Sequence, residues 1–128
     1  MIVSSLKSIV GTDRDVEGPT FHSRRLLLAQ DNMGFAFNDT VLFAGTETHM
    51  WYKNHLEAVY CIEGTGELVD LGTGDVHRIE PGVMYALVDH DKHILKATTD
   101  LRMICVFNPA LVGKEVHDEE GAYPLLTH

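Results

Sequence analysis

Short apolar runs alternate with clusters of glycine, asparagine, aspartate and proline along most of this chain. The runs are rich in Val, Ile, Leu, Phe and Tyr, and no stretch keeps a helical period of apolar residues for long. We predict strands at residues 24–29, 34–43, 48–52, 56–62, 66–71, 76–79, 84–86, 93–97 and 102–107. Many short strands at this spacing are typical of a small all-β barrel or sandwich.

Turn residues separate the predicted strands. Asp31-Asn32 comes before Gly34, the sequence GTG occurs twice, and Pro81-Gly82 follows another strand. Residues 3–9 fit a short helix or an outer strand, and the pattern leaves both open. Because no repeat or linker precedes Gly113, we expect a single domain, with a barrel at residues 1–112 and a tail at 113–128.

Alternation along the predicted strands places polar side chains inside the barrel. Residues two apart on a strand share a face, so an inward Glu57 implies an inward Val59 and Cys61. By the same rule the shared faces hold Asn38 with Thr40, Tyr85 with Leu87, His93 with Leu95, and Cys105 with Phe107. Mixed polar and apolar groups at one end of a barrel are more typical of a ligand cavity than of a plain core.

Composition excludes two classes of partner. The 128 residues include 19 Asp and Glu against 10 Lys and Arg, which gives a formal net charge of −9, and 45% of the residues are hydrophobic. A chain with this charge and no clustered cations repels nucleic acid phosphates and anionic membranes. We therefore expect a soluble domain that binds neither.

The cysteines and the first residues favour the cytoplasm. Cys61 and Cys105 each lie inside an apolar run, which is typical of buried thiols more than of a disulfide framework. The first fifteen residues lack the sustained apolar run of a signal peptide, and no window is long enough to span a bilayer.

Between Trp51 and His93 the order of glycines around one glutamate resembles the two motifs of the cupin superfamily. These residues are, in order, Glu57, Gly64, Gly66, Gly72, Gly74, Pro81 and Gly82. Most cupins also have a His-x-His pair before the glutamate and a histidine soon after Pro-Gly. Here Trp51 and Lys53 occupy the first place, and Tyr85 and then His93 follow the second.

Longer segments resemble one branch of that superfamily, the ectoine synthase family. They are Thr40 and residues 45–64, 85–93, 105–109 and 115–119, and the likeness extends over about residues 1–125. The resemblance implies a jelly-roll-like cupin barrel with one or two short helices.

The resemblance also implies a metal site at Glu57, Tyr85 and His93. Two oxygen donors and one imidazole suit Fe, Mn or Co better than they suit a structural zinc site. The family is iron-dependent, so Fe²⁺ is the expected cofactor, and other divalent transition metals also fit. The tyrosine must bind as phenolate, which requires the metal's charge to favour loss of a proton with an ordinary pKa of about 10.

The implied reaction closes N-γ-acetyl-L-2,4-diaminobutyrate into the cyclic amidine ectoine, with loss of water. The α-nitrogen must lose protons before it attacks the amide carbonyl, and the departing oxygen must gain them. The family positions for this proton traffic are Tyr52, Glu115 and His117, and which is acid and which is base stays open.

Further family positions imply contacts with the substrate. Arg25 would bind the α-carboxylate of the substrate. Asn38 and Thr40 would form hydrogen bonds with its polar ends. The wall of the cavity would include Cys105 and Phe107. Phe21 stands where the family has Trp, so an aromatic surface remains but the indole N–H is lost.

Each candidate also has an ordinary structural interpretation. Glu57 would face solvent if its strand were an edge strand, and Tyr85 would be a packed aromatic residue. His93 is one of eight histidines, and Thr40 and Phe107 fit a strand and a core. Arg25 would form a surface pair with Arg24, and Glu115 and His117 would belong to a solvated acidic tail.

Two other functional classes fit a cupin with these residues. One is a non-catalytic cupin that binds a small polar metabolite, and the other is a cupin metal dioxygenase, which would consume oxygen. The tail, polar and terminal, would act as a lid that substrate draws across the barrel mouth. Cupins of this type commonly form head-to-tail dimers, so we expect a homodimer.

Overall fold

The computed structural model describes residues 1–113, 115–119 and 121–125, and within them most of the regular secondary structure is β. The strands are β1 Asp15–Glu17, β2 Phe21–Leu27, β3 Ala36–Leu42, β4 Glu47–Met50, β5 Leu56–Glu63, β6 Gly66–Asp70, β7 Val76–Ile79, β8 Met84–Leu87, β9 His93–Ala97 and β10 Leu101–Asn108. A four-residue helix, α1 (Leu6–Ile9), and a 3-10 turn at Ala29–Asp31 complete the elements.

The strands form two antiparallel sheets. The first has the order β1-β2-β3-β10-β5-β8, and the second has the order β4-β9-β6-β7. Core side chains come from both sheets, with Met103 and Phe107 from the first and Ile79 and Leu95 from the second. This arrangement confirms the predicted all-β, cupin-type fold.

Most predicted strands are present with shifted ends. β2 begins at Phe21, three residues before the predicted start, because the preceding Gly18-Pro19 resembles a turn and hides the strand. β1 was not predicted because it is only three residues long and carries two charges. Of the two alternatives for residues 3–9, the structure has the helix, which Ser5 caps by accepting a hydrogen bond from the Ser8 N–H at 3.2 Å.

The predicted alternation is confirmed on the strands that form the interior. On β5, Glu57, Val59 and Cys61 are buried, whereas Leu56 and Tyr60 are exposed. The same period holds along β10, where alternate residues from Leu101 to Phe107 are buried. Both cysteines are buried and free, as predicted.

Described parts of the tail pack against the barrel. The Gly121 carbonyl accepts a hydrogen bond from the Trp51 N–H at 3.0 Å, and the Tyr123 carbonyl accepts one from the Asn54 side-chain amide at 3.0 Å. Residues 114, 120 and 126–128 of the predicted lid lie outside the described residues. Across the described residues, no helix has the length and apolar character needed to cross a membrane.

Trp51 lies at the place where most cupins have the first histidine of their pair. Its ring is 4.1 Å from the Lys92 ammonium nitrogen and 5.0 Å from that of Lys53, measured to the ring centroid. Two cation–π contacts therefore hold the indole, and Trp51 serves the attachment of the tail rather than the interior.

Candidate active site

A cavity lies between the two sheets and is closed on one side by the tail. The wall contains nine of the twelve residues predicted for the site: Phe21, Asn38, Thr40, Tyr52, Glu57, Tyr85, Cys105, Phe107 and His117. The exceptions are Arg25, His93 and Glu115. Of these, His93 lines an adjacent cleft, and Tyr85 lies in the wall of both spaces.

Strand pairing brings two of the three predicted metal ligands together, and the third comes from the opposite sheet. Glu57 and Val59 on β5 pair with Leu87 and Tyr85 on β8, so the carboxyl and phenol side chains point inward from neighbouring strands. His93 begins β9 in the opposite sheet, and its ring centroid lies 6.3 Å from that of Tyr85. Tyr85 therefore lies beside Glu57 and near His93, and the use of these three residues as metal ligands stays a prediction.

The His93 ring has one nitrogen available to a ligand. Its Nδ1 is 2.9 Å from the Asp91 carbonyl oxygen, and its Nε2 is buried without a hydrogen-bond partner. Donation from Nδ1 to the carbonyl leaves the lone pair on Nε2, which is the arrangement found in metal-binding histidines. Burial lowers the pKa of His93, so the imidazole is held neutral.

The two oxygen donors are held in their protonated forms by burial. Burial raises the pKa of Glu57 to about 8, and it raises the pKa of Tyr85 well above its usual value. A cation beside them would offset this cost of burial and favour the charged forms. Within residues 1–113, 115–119 and 121–125, no three His, Cys, Asp or Glu side chains are grouped to hold a metal, and this set instead uses a phenol.

Asn38 offers a complete amide to the cavity. Only 1% of the residue is exposed, and neither its side-chain nitrogen nor its side-chain oxygen has a partner among the described residues. Thr40, two residues along β3, donates from its hydroxyl to Ser23 Oγ at 3.4 Å. Because buried amides are normally hydrogen-bonded, the Asn38 side chain is poised for a polar ligand.

Tyr52 and His117 form a hydrogen-bonded pair at the mouth of the cavity. The Tyr52 hydroxyl is 2.6 Å from His117 Nε2, and the two rings lie 5.5 Å apart. Burial, followed by the Arg25 charge, lowers the pKa of His117 to about 4, while burial raises the pKa of Tyr52 well above its usual value. At neutral pH the imidazole can accept a proton and the phenol can donate one.

Arg25 and Glu115 lie outside the cavity wall and hold the tail. Arg25 is fully buried, donates to the Glu115 carbonyl at 2.9 Å, and has its guanidinium Nη1 3.7 Å from Glu115 Oε1. The Glu115 carboxylate accepts hydrogen bonds from the N–H groups of Val112 at 2.7 Å and Gly113 at 2.9 Å. Arg25 Nη1 is buried without a hydrogen-bond partner, so the contact of Arg25 with a substrate carboxylate stays a prediction, as does proton transfer by Glu115.

The interpretations of Arg25 as part of a surface pair and of Glu115 as part of a solvated tail are wrong. Arg25 does not share a surface pair with Arg24, which instead binds Asp15 at 2.8 Å. Glu115 is 1% exposed and is no part of a solvated tail. Phe21 lines the cavity and packs on His117 with 5.2 Å between ring centroids, so it keeps the aromatic contact expected of its position.

Tyr123 is a wall residue that the sequence analysis missed. It is 3% exposed, lies in the cavity wall, and comes from the tail. The signal was a lone aromatic residue, followed by proline and two leucines, at the end of a polar segment. An aromatic residue in a polar tail usually packs against the body of the protein.

Comparisons with known proteins identify the family of the chain. The sequence profile of the ectoine synthase family matches residues 1–127. Similar curated proteins include the L-ectoine synthases of Oceanobacillus iheyensis, 60% identical over 126 residues, and of Desulfatibacillum aliphaticivorans, 58% identical over 128 residues. Each alignment covers 98% of both chains.

Solved structures give the same result. The crystal structure of ectoine synthase from P. lautus is 59% identical, with a TM-score of 0.89, and the match covers 100% of this chain and 92% of that one. An RmlC-like cupin from Shewanella frigidimarina is 18% identical with a TM-score of 0.63 over 75% of this chain and 82% of that one, which shows the fold alone. The chain belongs to the ectoine synthase family.

Proposed function

We propose that this lyase closes N-γ-acetyl-L-2,4-diaminobutyrate to ectoine with loss of water inside the cavity between the sheets. The observation that carries the proposal is the pairing of unpartnered polar groups with a preformed proton-transfer pair in one enclosed space. The Asn38 amide supplies the first, and the Tyr52–His117 hydrogen bond supplies the second. A folded-back polar substrate requires both, because it must be held and must exchange protons.

Glu57, Tyr85 and His93 would hold a divalent metal, and we propose Fe²⁺. The unpartnered Nε2 of buried His93 supports this, as does the burial of an acidic side chain beside a phenol. When bound, the ion supplies Lewis acidity for a substrate oxygen or nitrogen. Other divalent transition metals fit the same donors.

Substrate would be oriented by β3 and enclosed by aromatic side chains. Asn38 can donate and accept hydrogen bonds with polar ends of the substrate, and Thr40 adds a hydroxyl beside it. Phe21, Phe107 and Cys105 cover the remaining wall and exclude water, which is a product of the reaction. Arg25 and Glu115 keep the tail in place, and the unpartnered Nη1 of Arg25 would bind the α-carboxylate.

Protons would move through Tyr52 and His117. The α-ammonium group must lose two protons, and the amide oxygen must gain two before it leaves as water. Neutral His117 accepts a proton, and the Tyr52 hydroxyl, bonded to it, delivers one. Glu115, whose oxygens accept hydrogen bonds from the N–H groups of Val112 and Gly113, stays a predicted third participant in this exchange.

The decisive experiment is anaerobic loading with ferrous iron followed by chromatographic detection of ectoine. Glu57→Gln removes the buried carboxylate and should abolish both iron binding and product formation. Glu67→Gln, an exposed glutamate on β6, is the matched control and should behave as wild type.

Three outcomes would contradict the proposal. Substrate returned unaltered by iron-loaded protein would favour the metabolite-binding cupin. Oxygen consumption that tracks turnover would favour a dioxygenase. Full activity in the Glu57→Gln variant would remove the metal site.

We also propose that the protein is a homodimer. The outer face of β5 and β8 presents Leu56, Tyr60 and Met84, which are 39%, 47% and 60% exposed, and Val88 extends the same patch. A second copy of this chain is the occupant that we propose for this apolar face, in a head-to-tail arrangement. Light scattering on the wild type and on Met84→Lys tests it, and a monomeric wild type would contradict it.

We place the protein in the cytoplasm, where its product would act as a compatible solute under osmotic stress. Two buried, free cysteines support a reducing compartment. Cell fractionation of the source organism before and after a salt shock would test both statements.

A further inference from the structure

We infer that Tyr123 is a further proton-transfer residue of this reaction, a second tyrosine that extends the Tyr52–His117 pair along the cavity wall. The inference rests on the proposed function, because it assigns a role in the same ring closure. Its support is the position of Tyr123 among the described residues of the tail and the cavity.

The Tyr123 side chain is fixed in the wall. Its residue is 3% exposed, its carbonyl accepts the Asn54 amide at 3.0 Å, and the Arg25 guanidinium lies 5.5 Å from its ring centroid. Nearby, the Gly121 carbonyl is bonded to the Trp51 N–H at 3.0 Å. The two backbone contacts anchor the segment that carries Tyr123, and the guanidinium lies against its ring, so the side chain has a defined place in the cavity wall.

Three rings form a mutual contact. The centroid of Tyr123 is 4.7 Å from that of His117 and 5.0 Å from that of Tyr52, and the last two are 5.5 Å apart. After burial, a hydrogen bond between the two tyrosine side chains contributes to the raised pKa of Tyr52 and opposes the rise in the pKa of Tyr123. Tyr52 is also hydrogen-bonded to His117 at 2.6 Å, so the three polar groups form a continuous chain.

The protonation states suit a relay. Burial raises the pKa of Tyr123 to about 12 against the opposing Arg25 charge, so its hydroxyl carries a proton at neutral pH. His117 is uncharged under the same conditions, since its pKa is lowered to about 4. The chain therefore has a proton acceptor at one end and a proton donor at the other.

The ring closure requires a proton acceptor near the nitrogen and a proton donor near the oxygen, and the relay of Tyr123, Tyr52 and His117 would supply both. The α-nitrogen forms a bond with the acetyl carbon and gives up two protons, while the carbon–oxygen bond breaks and the oxygen leaves with both as water. No electron is exchanged and no co-reactant is needed. A chain that collects protons near the nitrogen and returns them near the oxygen is restored after each turnover.

The first test is Tyr123→Phe, which keeps the ring and removes only the hydroxyl. Tyr60→Phe is the matched control, because that hydroxyl lies outside the cavity on the outer face of β5 and the substitution keeps the apolar ring on the proposed dimer face. We expect kcat of iron-loaded Tyr123→Phe to fall about 10- to 100-fold, with KM changed less than about threefold. Tyr60→Phe should retain both constants.

The result that overturns the inference is an unchanged kcat, which would make the ring's packing sufficient. A raised KM at constant kcat would also overturn it, because the hydroxyl would then be a substrate contact. In the Tyr52→Phe background, adding Tyr123→Phe should lower kcat only slightly further. If the fold losses in kcat of the two single variants multiply in the double variant, the two residues act independently and a shared relay is contradicted.

A measurement on the wild type keeps the inference testable if the variant fails to fold. Turnover in mixtures of light and heavy water should depend on the deuterium fraction along a curve, because more than one proton moves. A linear dependence would overturn the relay. If iron-loaded wild type makes no ectoine, the proposed function fails, and this inference fails with it.

Discussion

The barrel wall and the tail wall of the cavity differ in how their polar groups are partnered. The barrel contributes an Asn38 amide and a His93 nitrogen that are buried without hydrogen-bond partners. The tail contributes Glu115 and His117, and each is already bonded, to backbone N–H groups and to Tyr52 respectively. The barrel therefore presents the groups that await a ligand, whereas the tail is internally satisfied and closes the space.

This division assigns different consequences to damage in each region. Loss of a tail contact should release the closing segment and reduce turnover while the barrel stays folded. Loss of an unpartnered barrel group should weaken ligand binding at no cost to folding, since unmade hydrogen bonds stabilise nothing. Each experiment below separates stability from activity on that basis.

The largest effect is expected from Gly121→Ala. Gly121 has φ +75, and an added Cβ would collide with the His49 carbonyl oxygen, so the tail must leave its place. We expect kcat/KM to fall about 100-fold, because water enters the cavity and Glu115, His117 and Tyr123 move away from it. Gly74→Ala is the control, because it has φ +80 with open space around it and thus has equal backbone strain and no collision. Equal activity losses in both variants would contradict the explanation.

Glu115→Gln should have the next largest effect. It leaves the fully buried Arg25 without its charged partner, a change that costs about 3 kcal/mol in comparable buried pairs. We expect faster proteolysis within the tail and a roughly tenfold loss in kcat/KM. Glu119→Gln, an exposed neighbour in the same segment, should change neither measurement.

Asn38→Leu tests the opposite wall. Because the amide is buried and unpartnered, an isosteric apolar side chain should keep or raise the thermal unfolding temperature. KM for the substrate should rise about tenfold with the loss of one or two hydrogen bonds. A drop in stability would show that the amide is bonded inside the protein and would remove Asn38 from the list of ligand contacts.

The smallest effect is the contribution of His117 to stability as a function of pH. Its pKa in the folded protein is lowered from 6.5 to about 4. Between these two pH values the unfolded chain binds a proton at His117 and the folded chain does not. Its contribution is complete above pH 6.5 and is lost as the pH falls toward 4. The free energy of unfolding of the wild type should fall between pH 6.5 and 5, and in His117→Gln this fall should be smaller by about 1–2 kcal/mol. The exposed His77→Gln variant should keep the wild-type slope.

The strand wall was predictable because a period of two assigns inside and outside without further information. Glu57, Val59 and Cys61 face inward as that period required, and the resemblance then identified which inward residues matter. The tail was not predictable in this way. Burial of Arg25 and the bonding of Glu115 arise only when two distant segments meet, and a polar segment gives no periodic signal of that meeting.

Trp51 is the single tryptophan of the chain, and its backbone holds the Gly121 carbonyl while two lysine side chains flank its ring. Its ultraviolet emission therefore comes from one known position, at the point where the closing segment is attached. A shift or quenching of that emission would report the arrival and departure of the segment in real time, in the native protein and without an added dye. The same indole that replaces the first histidine of other cupins provides this protein with an optical probe of its own closure.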